Sequence, residues 1–274
     1  MKNMFSLKGR TSVVIGGGGV LGAAIGRGLG IAGAEVVITD IVPEKAEEVS
    51  KSLGKDGIKS SAVVMDVLKR ESIRKGCDSV YNEFGKVDIL VNAAGGNMKG
   101  ATTSTDLRFF DIELPPLEKV IGLNLFGGAI MPCQVFGRRM VENENGGSII
   151  NISSMNAFRP LTRIPGYSAA KAAVSNFTQW LAVHFAQEYN KKLRVNAIAP
   201  GFFLTDQNRF LLTDEKTGKL TPRGETIIAH TPMGEFGAPE DLAGTAVWLA
   251  SDSSRFVHGI VVPVDGGFSA FSGV

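Results

Sequence analysis

From end to end the chain alternates between short, largely apolar runs and longer segments with helical character. The runs are 11–15, 35–39, 60–65, 87–91, 147–152, 193–198 and 260–264. Each is rich in Val and Ile and largely unbroken by polar residues. A strand reads this way when both of its faces are buried, the condition of a parallel sheet covered by helices on both sides. Seven such strands with helices between them predict an α/β fold. The expected form is a Rossmann-like, doubly wound, seven-stranded parallel sheet forming a single domain over 1–274. No linker, repeat or low-complexity segment interrupts it. The first half, to about residue 155, is the part expected to hold a nucleotide. Two irregular stretches, 95–116 and 202–237, follow strands and so border the crevice at the carboxyl ends of the sheet. Substrate selectivity is expected in these two loops.

Charge excludes several functions. With 29 basic and 27 acidic side chains the formal net charge is +2, and the basic residues are scattered. Neither nucleic acid nor a membrane surface is expected as a partner. The segment from Met1 to Phe5 has no signal-peptide pattern, and no stretch reads as a membrane span. The chain is therefore expected in the cytoplasm. Cys77 and Cys133 form no CxxC pair and the three histidines are dispersed, so no metal site is expected. The two cysteines read as free thiols in a reducing compartment.

Gly16-Gly17-Gly18-Gly19-Val20-Leu21-Gly22 follows the first strand and opens the first helix. Glycines there let the backbone turn sharply and come close to a pyrophosphate, while free N–H groups at the helix start receive the phosphates. Asp40 ends the second strand, close to the roughly 20-residue spacing of a ribose-binding carboxylate. It would accept hydrogen bonds from a 2′-hydroxyl and repel a 2′-phosphate. Ile41 follows it, and the glycine loop holds no Lys or Arg, so NAD is expected in preference to NADP. Asp40 could also cap the helix that follows.

Tyr167 and Lys171 stand at i and i+4, on one face of a helix. A phenol with a pKa near ~10 is a weak acid or base at neutral pH. A neighbouring ammonium favours the phenolate, which is the tuning that proton transfer needs. A solvated surface pair would look the same, so the assignment draws on further motifs.

Those motifs run in order: Asp66-Val67, Asn92-Ala93-Ala94-Gly95, Asn124, Asn151-Ile152-Ser153-Ser154, Tyr167 with Lys171, Asn196-Ala197-Ile198-Ala199-Pro200-Gly201, and Asp265-Gly266-Gly267. In this order the chain resembles the short-chain dehydrogenase/reductase family over almost its whole length. The resemblance implies that Tyr167 is the acid/base and that Ser154 polarises the substrate oxygen. Lys171 would tune the tyrosine and hold the nicotinamide ribose, and Asn124 would anchor a proton-relaying water. It also implies adenine contacts from Asp66 and Val67, and a ribose-side lining from Asn92, Ala93 and Ala94. Pro200, Phe203 and Thr205 would lie at the nicotinamide. Two departures stand out: Val20 occupies a position where the family has glycine, and Ala93 replaces a second asparagine.

A narrower resemblance is to the bacterial D-mannonate oxidoreductase (fructuronate reductase) branch, carried by Ser154-Met155-Asn156-Ala157-Phe158, Pro200-Gly201-Phe202-Phe203 and Gly267-Phe268-Ser269 among others. It implies a sugar-acid substrate and helix-paired homo-tetramers. A polyol needs hydrogen-bonding groups, for which Asn97, Asn156, Gln207 and Asn208 are candidates. A carboxylate suits a guanidinium fork, Arg163 or Arg209. Gluconate 5-dehydrogenase, or another polyol or keto-acid reductase, would share every catalytic residue. A silent nucleotide-binding protein would be expected to have lost some of them. A hydrolase elbow (GxSxG) and a phosphate loop ending in GK[ST] are both missing.

Overall fold

The computed structural model describes residues 3–205, 209–214 and 217–273. Its centre is one seven-stranded sheet in the order β3-β2-β1-β4-β5-β6-β7. The strands are β1 (Thr11–Ile15), β2 (Glu35–Asp40), β3 (Ser60–Val64), β4 (Ile89–Asn92), β5 (Gly147–Ile152), β6 (Leu193–Pro200) and β7 (Val261–Val264). Every pairing is parallel, with Val13 beside Val37 on one side and beside Leu90 on the other. All seven apolar runs are strands, with small shifts at their ends. β4 begins at Ile89, later than read, and just before it the Asp88 carboxylate accepts the Thr11 N–H at 2.8 Å.

Residue parity divides the core. Val14, Ile38, Val91, Ile150 and Ile198 face one layer, which holds α1 (Val20–Ile31), α2 (Pro43–Lys55) and α9 (Asp241–Ala250). Val13, Ile15, Leu90, Ile149 and Val195 face the other layer. That layer holds α3 (Arg70–Phe84), α4 (Leu114–Ile121), a π-helical segment (Gly122–Ile130), α5 (Met131–Met140) and α6 (Pro165–Glu188). Burial on both faces is why the strands read as continuous apolar runs. Gly28 lets α1 and α9 meet: a Cβ on it would lie 2.5 Å from that of Ala243. Both cysteines are free and buried.

Two sequence expectations need correction. Leu114–Met140 is one continuous 27-residue helical run, long and apolar enough to cross a membrane. Half of its most apolar stretch is buried in this protein, with Val120, Ala129, Cys133, Phe136 and Met140 packed inside. It is apolar because it is a core helix, a condition that composition does not separate from a span. The stretch 202–237 is also less irregular than read: it holds α7 (Arg209–Leu212) and α8 (Pro222–Ala229), the latter capped by the Thr221 hydroxyl accepting from Gly224 N–H at 3.1 Å. The apolar cover of α6 resolves into two faces. Val174, Leu181 and Phe185 are buried, whereas Trp180 and Val183 are each 56% exposed.

Candidate active site

The strand order reverses direction between β1 and β4, and such a switch point opens a crevice at the carboxyl ends of the strands. The loops leaving these two strands touch there. A Cβ on Gly16, whose φ is 74°, would fall 2.7 Å from the Ala94 Cα. One on Gly22 would fall 2.5 Å from the Gly16 carbonyl oxygen, so the helix packs directly on the turn. One on Gly18 would fall 2.8 Å from Asp40 Oδ2. Only glycines fit this arrangement, and together they form a narrow cradle at the N-terminal end of α1. Gly19 is the N-cap, without a side-chain partner, and Val20 opens the helix in a half-exposed position. Leu21 is partly buried in the adjoining core. Asp40 Oδ1 accepts the Val42 N–H at 3.0 Å just before α2, and Oδ2 faces Gly18. The cradle, the free helix start and the adjacent carboxylate fit a dinucleotide.

On the far side of the switch point, β5 runs into Ser153 and Ser154, and α6 brings up Tyr167 and Lys171. Lys171 is buried at 4% exposure, its Nζ donating to the Ile152 carbonyl at 2.8 Å and lying 5.6 Å from the Tyr167 ring centre. Burial lowers the Lys171 pKa from 10.5 to about 8. Burial also raises the Tyr167 phenol above its ordinary value, and hydrogen bonding from the Ser154 hydroxyl opposes that rise. The expectation was that the ammonium would pull the phenol down; here burial is the dominant cause and the opposing one is the Ser154 bond. Both groups are thereby pushed toward their neutral forms.

Asn124 lies in the π-helical segment, fully buried. Its Nδ2 donates to the Gly96 carbonyl at 2.6 Å and to the Val120 carbonyl at 2.8 Å, and its Oδ1 accepts the Gly96 N–H at 3.1 Å. The side chain thus pins the loop after β4 onto the widened helix, a place where π-segments often mark function. Gly95 makes room: a Cβ there would lie 2.7 Å from Asn124 Oδ1 and 3.3 Å from Lys171 Nζ. Sequence reasoning also missed Ser153, whose hydroxyl donates to the Lys171 carbonyl at 3.1 Å and sits 2.7 Å from Ser175 Oγ. Its signal was only a second serine before Ser154.

Other expectations divide. Asn92 is buried completely, its Nδ2 donating to Asn151 Oδ1 at 2.8 Å, so its side chain belongs to the sheet interior and not to a ligand. Asn156 is likewise committed inward, its Oδ1 accepting the Leu161 N–H at 2.6 Å. Asn97 donates to Thr102 Oγ1 at 2.8 Å within its own loop. Asp66 accepts the Leu68 N–H at 3.0 Å and pairs with Lys69, while Val67 is buried. Ala93 and Ala94 are partly exposed at the end of β4, and Pro200 is buried at the end of β6. Phe203 is buried and lines, with Thr231, Met233 and Asp265, a cavity of about 270 Å³ behind the crevice. Thr205 is half-buried and Arg209 exposed, while Gln207 and Asn208 lie outside the described residues. Arg163 is exposed and, among the described residues, is the one non-glycine with a left-handed backbone, at φ 77°. Its carbonyl accepts the Thr103 N–H at 2.8 Å, joining the loop after β4 to the start of α6.

A family model described as enoyl-(acyl carrier protein) reductase matches residues 19–269. The chain belongs to the short-chain dehydrogenase/reductase family. It is an oxidoreductase of that family. An uncharacterized oxidoreductase of Bacillus subtilis (strain 168), UxuB, is 47% identical, with 98% of each chain covered. A Haemophilus influenza structure described as a candidate D-mannonate oxidoreductase with bound NAD superposes at TM-score 0.90, with 44% identity and 98% of each chain covered. A gluconate 5-dehydrogenase from Burkholderia cenocepacia J2315, solved with NADP and tartrate, gives TM-score 0.86 at 31% identity, again over 98% of each chain.

Asn124→Ala would leave the Gly96 and Val120 backbone groups without their partner. We expect a loss of about 2–4 kcal/mol in urea unfolding. A loss below about 1 kcal/mol would mean that the loop after β4 keeps its place without this side chain.

Proposed function

We propose that this enzyme interconverts a sugar-acid secondary alcohol and its ketone with NAD, the substrate pair being D-mannonate and D-fructuronate. The observation that carries the reading is the convergence of Tyr167, Ser154 and Lys171 beside the glycine cradle and Asp40. Likeness to the NAD-bound Haemophilus influenza protein supports both the cofactor and the substrate class. Likeness to the gluconate 5-dehydrogenase keeps D-gluconate as the second reading and NADP as the second cofactor.

In this proposal the backbone of Gly16, Gly18, Gly19, Val20, Leu21 and Gly22 receives the pyrophosphate, and Asp40 receives the adenosine ribose. Asp66, Val67, Ala93 and Ala94 border the adenosine, while Pro200, Phe203 and Thr205 border the nicotinamide. When bound, the nicotinamide supplies or accepts the hydride. Tyr167 exchanges a proton with the substrate oxygen, and Ser154 hydrogen-bonds that oxygen as its charge changes. Lys171, held by the Ile152 carbonyl, keeps a second proton next to the phenol and reaches the nicotinamide ribose. Asn124 holds the loop that closes this side of the site. The same reading has the enzyme working in the cytoplasm as a homo-tetramer, with Phe126, Trp180 and Val183 supplying an exposed apolar face for subunit packing.

Initial rates with NAD and D-mannonate, set beside D-gluconate, test the substrate. D-mannonate is expected to turn over faster, and Tyr167→Phe to abolish turnover while retaining NADH binding. Turnover of gluconate alone would replace the first reading with the second.

Arg163 is our candidate for the substrate carboxylate. Arg163→Gly removes the cation but tolerates φ 77°. It is expected to raise KM for the sugar acid about 100-fold and to leave a neutral polyol unaffected. An equal loss on both substrates would assign Arg163 a structural part only.

Lys171 loses its proton above about pH 8 in the free enzyme. Ketone reduction consumes a proton, so its kcat/KM should fall as pH rises through 8, while alcohol oxidation rises over the same interval. A flat profile there would move the proton relay to other groups.

A further inference from the structure

The corner of the crevice beside Asp40 contains a cation that the glycine loop itself lacks. Lys45 stands in the first turn of α2, and its Cβ lies 2.9 Å from where a Gly18 Cβ would be, next to Asp40 Oδ2 at 2.8 Å. Asp40 and Lys45 therefore rise side by side over one glycine of the cradle. Lys45 is exposed, and none of the ion pairs among the described residues involves Lys45 or Asp40. Asp40 Oδ2 accepts no hydrogen bond among them, its one such contact being made by Oδ1. A lysine has a flexible four-carbon stem and three rotatable donors, so its head can follow a ligand. The first turn of a helix also carries a partial positive charge, which favours an anion. Glu44, the neighbouring residue in that turn, contributes the opposite sign, so the corner is mixed rather than acidic.

We propose that Lys45 is a second cofactor-selectivity residue, positioned to pair with a 2′-phosphate and to weaken the discrimination that Asp40 imposes. The proposal rests on the dinucleotide reading of the crevice, but it is independent of which alcohol is oxidised. Physically, Asp40 acts on the two cofactors with opposite sign: it accepts from a 2′-hydroxyl and repels a 2′-phosphate. Lys45 acts on only one of them, because a neutral hydroxyl gains little from an exposed ammonium while a phosphate gains a charge-assisted hydrogen bond. The unsubstituted enzyme should thus bind NADPH better than its acidic ribose residue alone would allow.

Titration of protein fluorescence or of nicotinamide fluorescence with NADH and with NADPH, in low salt and without substrate, tests this. Lys45→Met keeps the aliphatic stem and removes the charge. We expect it to weaken NADPH binding about tenfold and to leave NADH within twofold. Asp40→Ser should improve NADPH binding, and Asp40→Ser with Lys45→Met should lose most of that improvement. Equal effects of Lys45→Met on both nucleotides, or none on either, would overturn the proposal. Failure of the unsubstituted protein to bind either nucleotide would sink the dinucleotide reading and this proposal with it. Since it is seen before any substitution, that failure is distinct from a failed role for Lys45.

Discussion

The site is organised around one buried ammonium. Lys171 has almost no exposure, and its described hydrogen bond goes to the last carbonyl of β5, at Ile152. That contact joins the sheet to α6 at the point where Ser154 leaves the strand and Tyr167 enters the helix. Ser153 strengthens the joint from below by donating to the Lys171 carbonyl. Ser154 leaves the end of β5 while Tyr167 and Lys171 lie on α6, so their convergence depends on how α6 packs against the end of β5. The Gly95 backbone closes the remaining side, approaching both Asn124 and Lys171 too closely for any side chain. A helix that is widened at Asn124, a strand end and a glycine loop thus enclose a single charge.

The opposite wall of the crevice obeys a similar rule with different atoms. There the constraint is backbone against backbone: Gly16 against Ala94, Gly22 against Gly16, and Gly18 against the Asp40 carboxylate. Val20, at the position where the family has glycine, opens α1 and is 37% exposed. Gly16, Gly17, Gly18 and Gly22 each have a neighbour closer than a Cβ allows. The departure at Ala93 is accommodated for another reason. Asn92 alone supplies the internal amide, bonding to Asn151, which in turn bonds to Thr178 on α6.

Much of this is legible in the sequence, for physical reasons. The five inner strands are buried on both faces and leave a signal that needs no context, whereas the edge strands β3 and β7 are legible from their valines although only partly buried. A glycine loop between strand and helix, and an i, i+4 Tyr–Lys pair, are local patterns with a chemical purpose. Side-chain orientation is different, because it depends on partners distant in sequence. Asn156 looked like a polar pocket residue and is instead consumed by the Leu161 N–H, five positions along in a turn that its sequence does not announce. Lys45 is hard to read from sequence because it lies outside the glycine loop and is not the residue after Asp40, the two places where a phosphate-pairing cation is ordinarily expected. It does carry a faint mark, a cation in the first turn of a helix, where an acid would be better placed. The direction of the Tyr167 shift is not legible in sequence, which reveals a neighbour's charge but not how far burial excludes water around the phenol.

That exclusion has a thermodynamic consequence. A lysine whose pKa is about 8 in the folded chain and 10.5 in its ordinary state holds its proton less well when folded. Below about pH 8 the folded protein therefore carries the whole penalty of a buried charge, of order 3 kcal/mol. Between those two values the unfolded chain binds more protons, so stability rises with pH, and above 10.5 the penalty is gone. An ordinary core position would have discarded such a residue for an apolar one of similar length. Its retention at the junction of β5 and α6, beside a phenol that is itself held neutral, is intelligible if the work of the site is to pass a proton. Two groups biased toward their uncharged forms exchange a proton with little reorganisation, and Ser154 then fixes where on the substrate that proton is delivered.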